Sequence, residues 1–229
     1  MKVINELIEG IFLSESKNRF LCKILIEGEE LECYLPSSSK LAPLINLKGK
    51  KVLLSINRAT NIRTKYSVFA VQYYRKYILL NLNVANQILE DYLRKNYVLL
   101  KSSGDILREK TIEGYKADFV LSGENRTVFE AKSIISTKQS TVFPSVYSKR
   151  AIEQLYKIEN LLDLGWNAQY FFIALSPFVK NLTINTEYKG YVEQFNNCIR
   201  KGMIVRGLRC SFFNNEVSIT QHLNVNTGF

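Results

Sequence analysis

The sequence predicts an α/β chain, α+β overall, in two domains: a small antiparallel β-barrel over residues 1–80, then a central mixed sheet flanked by helices over residues 81–229. Three observations predict this. Short strand-like runs broken by polar turns fill residues 1–80, the hydrophobic period lengthens from strand to helix after Asn81, and the positive charge is concentrated early. A chain of 229 residues can bury a core in one large domain or two small ones. Its 46% apolar and 23% charged content, with 11 Gly and 4 Pro, excludes collagen-like, low-complexity and disordered readings.

The first segment carries Glu6 and Glu9 inside its apolar stretch, which breaks the pattern of a secretory leader. No apolar run approaches the ~20 residues that span a bilayer. A cytoplasmic chain with no membrane partner is therefore expected. Cys22, Cys33, Cys198 and Cys210 stand apart without metal-site spacing and read as small hydrophobes in a reducing compartment. The single histidine, His222, argues against histidine-dependent hydrolase triads, and no glycine-rich phosphate loop is present.

Residues 19–26 and 30–35 flank a Glu27-Gly28-Glu29 hairpin turn, and residues 52–56 and 66–71 continue the strand pattern. Curling such short strands into a barrel removes exposed edges, and five or so of them with basic loops predict an OB-like barrel. After Asn81, residues 84–97 place Ile88, Leu89, Tyr92 and Leu93 at helical spacing. Residues 105–112 and 115–121 read as extended, and a Ser122-Gly123-Glu124-Asn125 turn joins the second to residues 127–132. A helix is expected over 147–164 with Gly165 at its end, a buried strand over 168–175, a helix over 187–201 and a closing strand over 204–213. This alternation predicts a sheet with helices packed on it.

Asp118 begins the apolar part of one strand, and Glu130-Ala131-Lys132 ends its hairpin partner. Side chains alternate along a strand, so Glu130 and Lys132 emerge on one face while Ala131 points to the other. The pattern D-x(11)-E-x-K is that of PD-(D/E)XK nucleases. Oxygen ligands suit a hard divalent cation, which neutralises phosphodiester charge and lowers the pKa of bound water. Asp118, Glu130 and the Ala131 carbonyl are the candidate ligands of Mg²⁺ or Mn²⁺, and Lys132 the group that positions water. Glu90, on the preceding helix, is a candidate further acid, although a Glu on an amphipathic helix is far more often just solvated. Glu109, between Arg108 and Lys110, is either a second acid or half of a surface ion pair.

Beyond the motif, the chain resembles the sugar fermentation stimulation protein family (SfsA). The resemblance runs through Arg19-Phe20-Leu21, the Pro36 loop, Arg63-Thr64-Lys65-Tyr66, Asn81, Asn86, Glu90, Arg108-Glu109, Asp118-Phe119, Glu130-Ala131-Lys132-Ser133, Phe143-Pro144 and Arg150. It implies an OB-like domain followed by a PD-(D/E)XK-like domain, with DNA binding and divalent-metal-dependent cleavage of DNA or RNA. It also implies contacts to nucleic acid from Arg19 and Arg150, and a substrate role for Gln154 on the long helix. Three positions depart from the family pattern: Ser37-Ser38-Ser39 follows Pro36, Ser145 replaces an acid after Phe143-Pro144, and Glu153-Gln154 stands where Lys-His is usual. Ser145 leaves a second reading open, a non-catalytic DNA-binding regulator of sugar-utilisation genes that keeps a nuclease fold.

The net charge is +10, and residues 33–89 contain nine bases and no acid. These are Lys40, Lys48, Lys50, Lys51, Arg58, Arg63, Lys65, Arg75 and Lys76. Such a surface suits a phosphate backbone, whose contacts are sequence-independent and salt-sensitive. Tyr73, Tyr74 and Tyr77 surround Arg75 and Lys76, a pattern suited to stacking unpaired bases and equally to a half-buried barrel wall. DNA is the expected partner, with RNA and pairing into a homodimer left open.

Overall fold

The structure, a computed structural model, describes residues 6–18, 20–36, 41, 44–57, 63–97 and 104–228. Its first strands are β1 (Leu7–Glu15), β2 (Leu21–Ile26), β3 (Glu29–Tyr34), β4 (Lys51–Ile56), β5 (Tyr66–Tyr73) and β6 (Lys76–Leu79). They form a sheet in the order β3-β2-β1-β4-β5-β6, and Tyr34 on β3 also pairs with Ser67 on β5. The sheet thus curls onto itself as an OB-like barrel around Phe12, Ile24, Val52, Leu54, Val68 and Val71. Glu27 and Gly28 both have positive φ, 49° and 90°, the backbone of a tight hairpin turn between β2 and β3.

The central strand β1 is absent from the strands expected above, although it pairs with both β2 and β4. Its apolar run is broken because alternate residues face out: Glu9 and Ile11 are exposed while Gly10 and Phe12 are buried. Gly10 is required by close packing, since a Cβ there would meet Ile24 at 2.6 Å.

The chain continues as α1 (Asn83–Tyr97), β7 (Ile106–Arg108), β8 (Thr111–Ile112), β9 (Tyr115–Lys116), β10 (Phe119–Leu121), β11 (Thr127–Ile134), β12 (Ser140–Phe143), α2 (Lys149–Asp163), β13 (Asn167–Ala174), β14 (Asn181–Ile184), α3 (Lys189–Arg200), β15 (Ile204–Phe213), β16 (Glu216–His222) and β17 (Asn224–Asn226). The second large sheet has the order β16-β15-β13-β11-β10-β7, with β11, β13 and β15 parallel and antiparallel strands at both sides. The expected extended segment 105–112 divides into β7 and β8, because Glu109 turns the chain at φ 47°. The hairpin β8–β9 and a small parallel sheet, β12-β14-β17, are additions to the expected order.

The helix α2 starts where the Ser148 hydroxyl accepts the Ala151 N–H at 3.2 Å, satisfying a free helix-end donor, and stops before Gly165 at φ 76°. The alternation of β13 divides the core. Tyr170 and Phe172 face α2 and α3, packing with Leu155, Ile158 and Phe195. Phe171 and Ile173 face the other way, where Ile88 and Leu89 of α1 join Phe69 and Leu79 of the barrel. The barrel therefore packs on the α1 side of the second sheet, and the Leu79 N–H donates to the Leu175 carbonyl at 2.9 Å. All four cysteines are free and buried. No helix among the described residues is long and apolar enough to cross a membrane.

Candidate metal centre and nucleic-acid surface

The antiparallel pair β10–β11 places Phe119 opposite Phe129, and β10 goes no further back along the chain. Asp118, just before it, substitutes a side chain for the missing ladder bond: its Oδ2 accepts the Ala131 N–H at 2.8 Å. The N–H and C=O of one strand residue leave on the same side, so the Ala131 carbonyl also faces Asp118. From α1, Asn86 Nδ2 donates to Asp118 Oδ1 at 3.4 Å.

On β11 itself, Lys132 Nζ donates to Glu130 Oε1 at 2.5 Å and to Gln154 Oε1 of α2 at 2.7 Å. Gln154 Nε2 donates back to Glu130 Oε1 at 3.0 Å, and the Tyr115 hydroxyl donates to Glu130 Oε2. Glu130 is only 3% exposed, so this enclosure by donors is what makes its burial tolerable. Buried tyrosines form the floor: Lys132 Nζ lies 5.8 Å from the Tyr170 ring centre, and the Tyr170 and Tyr191 hydroxyls are 3.3 Å apart.

Burial first, and the Glu130 charge second, push the Asp118 carboxyl up from 3.8 to about 6, against the pull of the Ala131 N–H, Lys132 and Asn86. The same two causes hold the Tyr115 phenol well above its ordinary value, so it stays a neutral donor. Two carboxylates and one ammonium leave an excess of negative charge in a half-buried pocket. That donor set fits a hard divalent ion. No group of three or more His, Cys, Asp or Glu side chains suited to a metal occurs among the described residues. The protein's share would thus be Asp118, Glu130 and the Ala131 carbonyl, with water and phosphate oxygens completing the shell, as Mg²⁺ favours.

The remaining candidates fall in different places. The Glu90 carboxylate, on the Asn86 face of α1, is held by Arg94 at 2.8 Å and Arg108 at 3.3 Å. The Glu109 N–H donates to the Asp118 carbonyl at 2.9 Å, but its carboxylate pairs with Lys116 at 2.5 Å on the surface. Arg150 is exposed one turn before Gln154 on α2. Among the basic residues, Arg63 pairs with Glu32 at 3.0 Å and Lys51 with Glu9 at 2.7 Å. A segment free of acids in sequence is therefore not free of them in space, because β1 and β3 flank it. Lys65 lies over Tyr66 and Lys50 over Tyr73, at 5.1 and 4.8 Å. Arg75 sits in the exposed β5–β6 turn and Lys76 opens β6, beside an aromatic cluster of Tyr73, Tyr74 and Phe178, whereas Tyr77 packs inward on Phe212. Arg19, Lys40 and Arg58 lie outside the described residues. Asn86 and Tyr115 hold the two carboxylates, although the D…ExK pattern includes neither. The spacing of Asn86 four residues before Glu90 is the sequence signal for the first, and Tyr115 has none beyond its turn.

The barrel and the mixed sheet with its D…ExK edge define a two-part chain, an OB-like module joined to a restriction-endonuclease-like one. The family models divide the chain the same way: residues 15–80 match the SfsA N-terminal OB domain, and residues 83–216 the sugar fermentation stimulation protein RE domain. The chain belongs to the sugar fermentation stimulation protein family. A sugar fermentation stimulation protein homolog of Desulfitobacterium hafniense is 24% identical over 220 residues, covering 95% of both chains. One from Clostridium perfringens is 24% identical over 232 residues, covering 98% of this chain and 99% of the relative. The structure of Pyrococcus furiosus SfsA in complex with Ca²⁺ superposes with a TM-score of 0.85 over 99% of both chains at 18% identity, a likeness of fold.

Proposed function

We propose that the chain is a divalent-metal-dependent nuclease that binds DNA through the barrel, residues 1–80, and hydrolyses phosphodiesters at the sheet edge of residues 81–229. The observation that carries this reading is the meeting of Asp118, the Ala131 backbone, Glu130 and Lys132 at one half-buried edge. Asp118, Glu130 and the Ala131 carbonyl hold Mg²⁺ or Mn²⁺. When bound, the ion supplies positive charge against the phosphate and a lower pKa for water. Lys132 would orient the water that attacks phosphorus; as the new P–O bond forms and the ester P–O bond breaks, the water gives up a proton to solvent and the leaving oxygen takes one from solvent to depart as an alcohol. Gln154 and Tyr115 keep Lys132 and Glu130 in place. The Ca²⁺ complex of the Pyrococcus furiosus relative supports binding of a divalent ion. Arg75, Lys76 and Lys50 supply phosphate contacts from the barrel. Ser145, in place of an acid, favours the alternative of a DNA-binding regulator without cleavage.

The test is cleavage of single- and double-stranded DNA and of RNA with Mg²⁺ or Mn²⁺, by the parent chain and by Glu130→Ala and Lys132→Ala. Loss of a ligand to the ion, or of the group that positions the attacking water, is expected to slow cleavage by about 10²-fold or more. Cleavage untouched by both substitutions overturns the assignment, and salt-sensitive binding without any cleavage selects the regulator.

A further inference from the structure

An open cleft of about 720 Å³ lies at the mouth of the barrel, outside the metal centre. Its walls include Phe20 and Tyr34, Asn57 and Arg63 between β4 and β5, and Asn81 and Asn83 at the start of α1. The Phe20 and Tyr34 rings lie nearly parallel, 6.3 Å apart with 25° between planes, and Tyr34 is 37% exposed. A flat aromatic half open to a cleft is a stacking platform for another flat ring.

The polar lining suits the edge of such a ring. Asn57 Nδ2 donates to the Thr64 carbonyl at 2.9 Å, and Asn81 Oδ1 accepts the Asn83 N–H at 3.0 Å. Each amide is fixed at one end, which leaves the other, an acceptor on Asn57 and a donor on Asn81, for an incoming base edge. Arg63 adds a guanidinium, and no Asp or Glu is among the described lining residues, although Glu32 pairs with Arg63. A volume of this size holds a small organic ligand but lacks room for a stacked duplex.

The position of the cleft ties it to the chemistry. Asn83 lines it, and Asn86, three residues on and so a neighbour on the same helix face, donates to Asp118. The cleft and the contact to Asp118 thus share the first turns of α1.

We propose that this cleft seats one unpaired nucleobase, stacked on Tyr34 and read by the asparagines, and so directs the chain to strands with unpaired nucleotides beside the scissile bond. The inference rests on the nuclease reading and names the substrate class of that site. A base stacked on Tyr34 with its edge on amides cannot also remain paired and stacked within a duplex.

The test is binding in the presence of EDTA, so that no strand is cut, to a single-stranded oligodeoxynucleotide containing 2-aminopurine and to the duplex of the same sequence. The parent chain is expected to quench the single-stranded probe and to bind it more tightly than the duplex. Tyr34→Ala is expected to remove the quenching and weaken single-strand binding about tenfold, leaving duplex binding unchanged. Asn83→Ala, at an exposed position, serves if Tyr34→Ala fails to fold, with a smaller loss in the same direction. DNA binding with equal affinity for both forms, indifferent to both substitutions, overturns the cleft assignment and leaves the nuclease reading standing. Absence of binding to either form overturns both.

Discussion

The Asp118 carboxylate accepts the Ala131 N–H at 2.8 Å, the bond that the backbone of a longer β10 would have received. A sheet edge is thereby made from a side chain, and a negative charge is drawn beside Glu130. The consequence is a pH effect. Burial and Glu130 raise the Asp118 carboxyl from 3.8 to about 6 in the folded chain. Its folded form binds the proton more tightly than the unfolded one, so its contribution is full below about pH 4 and is lost as pH rises through about 6. Chelator-treated protein should accordingly lose at most about 3 kcal/mol from this group across that window, less by the screening of its partial solvation. Asp118→Asn should flatten the dependence and raise the melting temperature at pH 8, measured by calorimetry at several pH values. A parent and variant with parallel pH profiles would remove Asp118 as the cause.

Tyr115 is the donor to Glu130 Oε2, and its ring is buried against the α2 side of the sheet. Tyr115→Phe preserves the ring and removes the donor. The unmatched buried acceptor should cost about 1–3 kcal/mol of stability. Because Glu130 then loses a fixed orientation, Mn²⁺ should bind about 10–100-fold more weakly, as expected for loss of a partner behind a ligand. Thermal unfolding and Mn²⁺ titration separate the two effects. A loss of stability with unchanged Mn²⁺ affinity would mean that Tyr115 only packs.

The features legible in the sequence are those encoded locally. The helix α2 shows its apolar face and its glycine stop, β13 is a continuous apolar run, and the spacing of Asp118, Glu130 and Lys132 follows from one hairpin. Glu109 lies after β7, the other neighbour of β10, but positive φ ends the alternation that a continuous strand would give it, and its carboxylate turns to Lys116. Strands β12, β14 and β17 pair across long sequence separations, so no short window carries them. The acid-free stretch is visible as composition, yet Glu9 and Glu32 reach it only once β1 and β3 are laid beside it.

Arg75 in the β5–β6 turn and Lys76 at the start of β6 are exposed beside Tyr74, which is 80% exposed. Removing one cation from a phosphate should lower the magnitude of the log-affinity against log-salt slope by about 0.7–0.9. Arg75→Ala combined with Lys76→Ala should therefore reduce the slope by roughly 1.4–1.8 while weakening all sequences alike. Filter binding across a salt series reads this directly. An unchanged slope would place the phosphate path elsewhere on the barrel.

Leu79 joins the two parts of the chain twice. Its side chain lies in the cluster that contains Phe69 of the barrel with Ile88 of α1 and Phe171 and Leu208 of the second sheet, and its N–H donates to the Leu175 carbonyl at 2.9 Å. An apolar cluster shared in this way means that unfolding either sheet exposes the buried face of the other. The chain should hence unfold in a single transition despite its two sheets, with fluorescence of Trp166 in the second part and far-ultraviolet dichroism of the whole giving coincident curves. Leu79→Ala removes buried methyl groups and should cost about 2–5 kcal/mol. The loss should shift both probes together, because the cavity opens in a core that both parts use. Two separated transitions in the parent chain, or a shift in one probe alone, would show that the barrel and the second sheet are energetically independent.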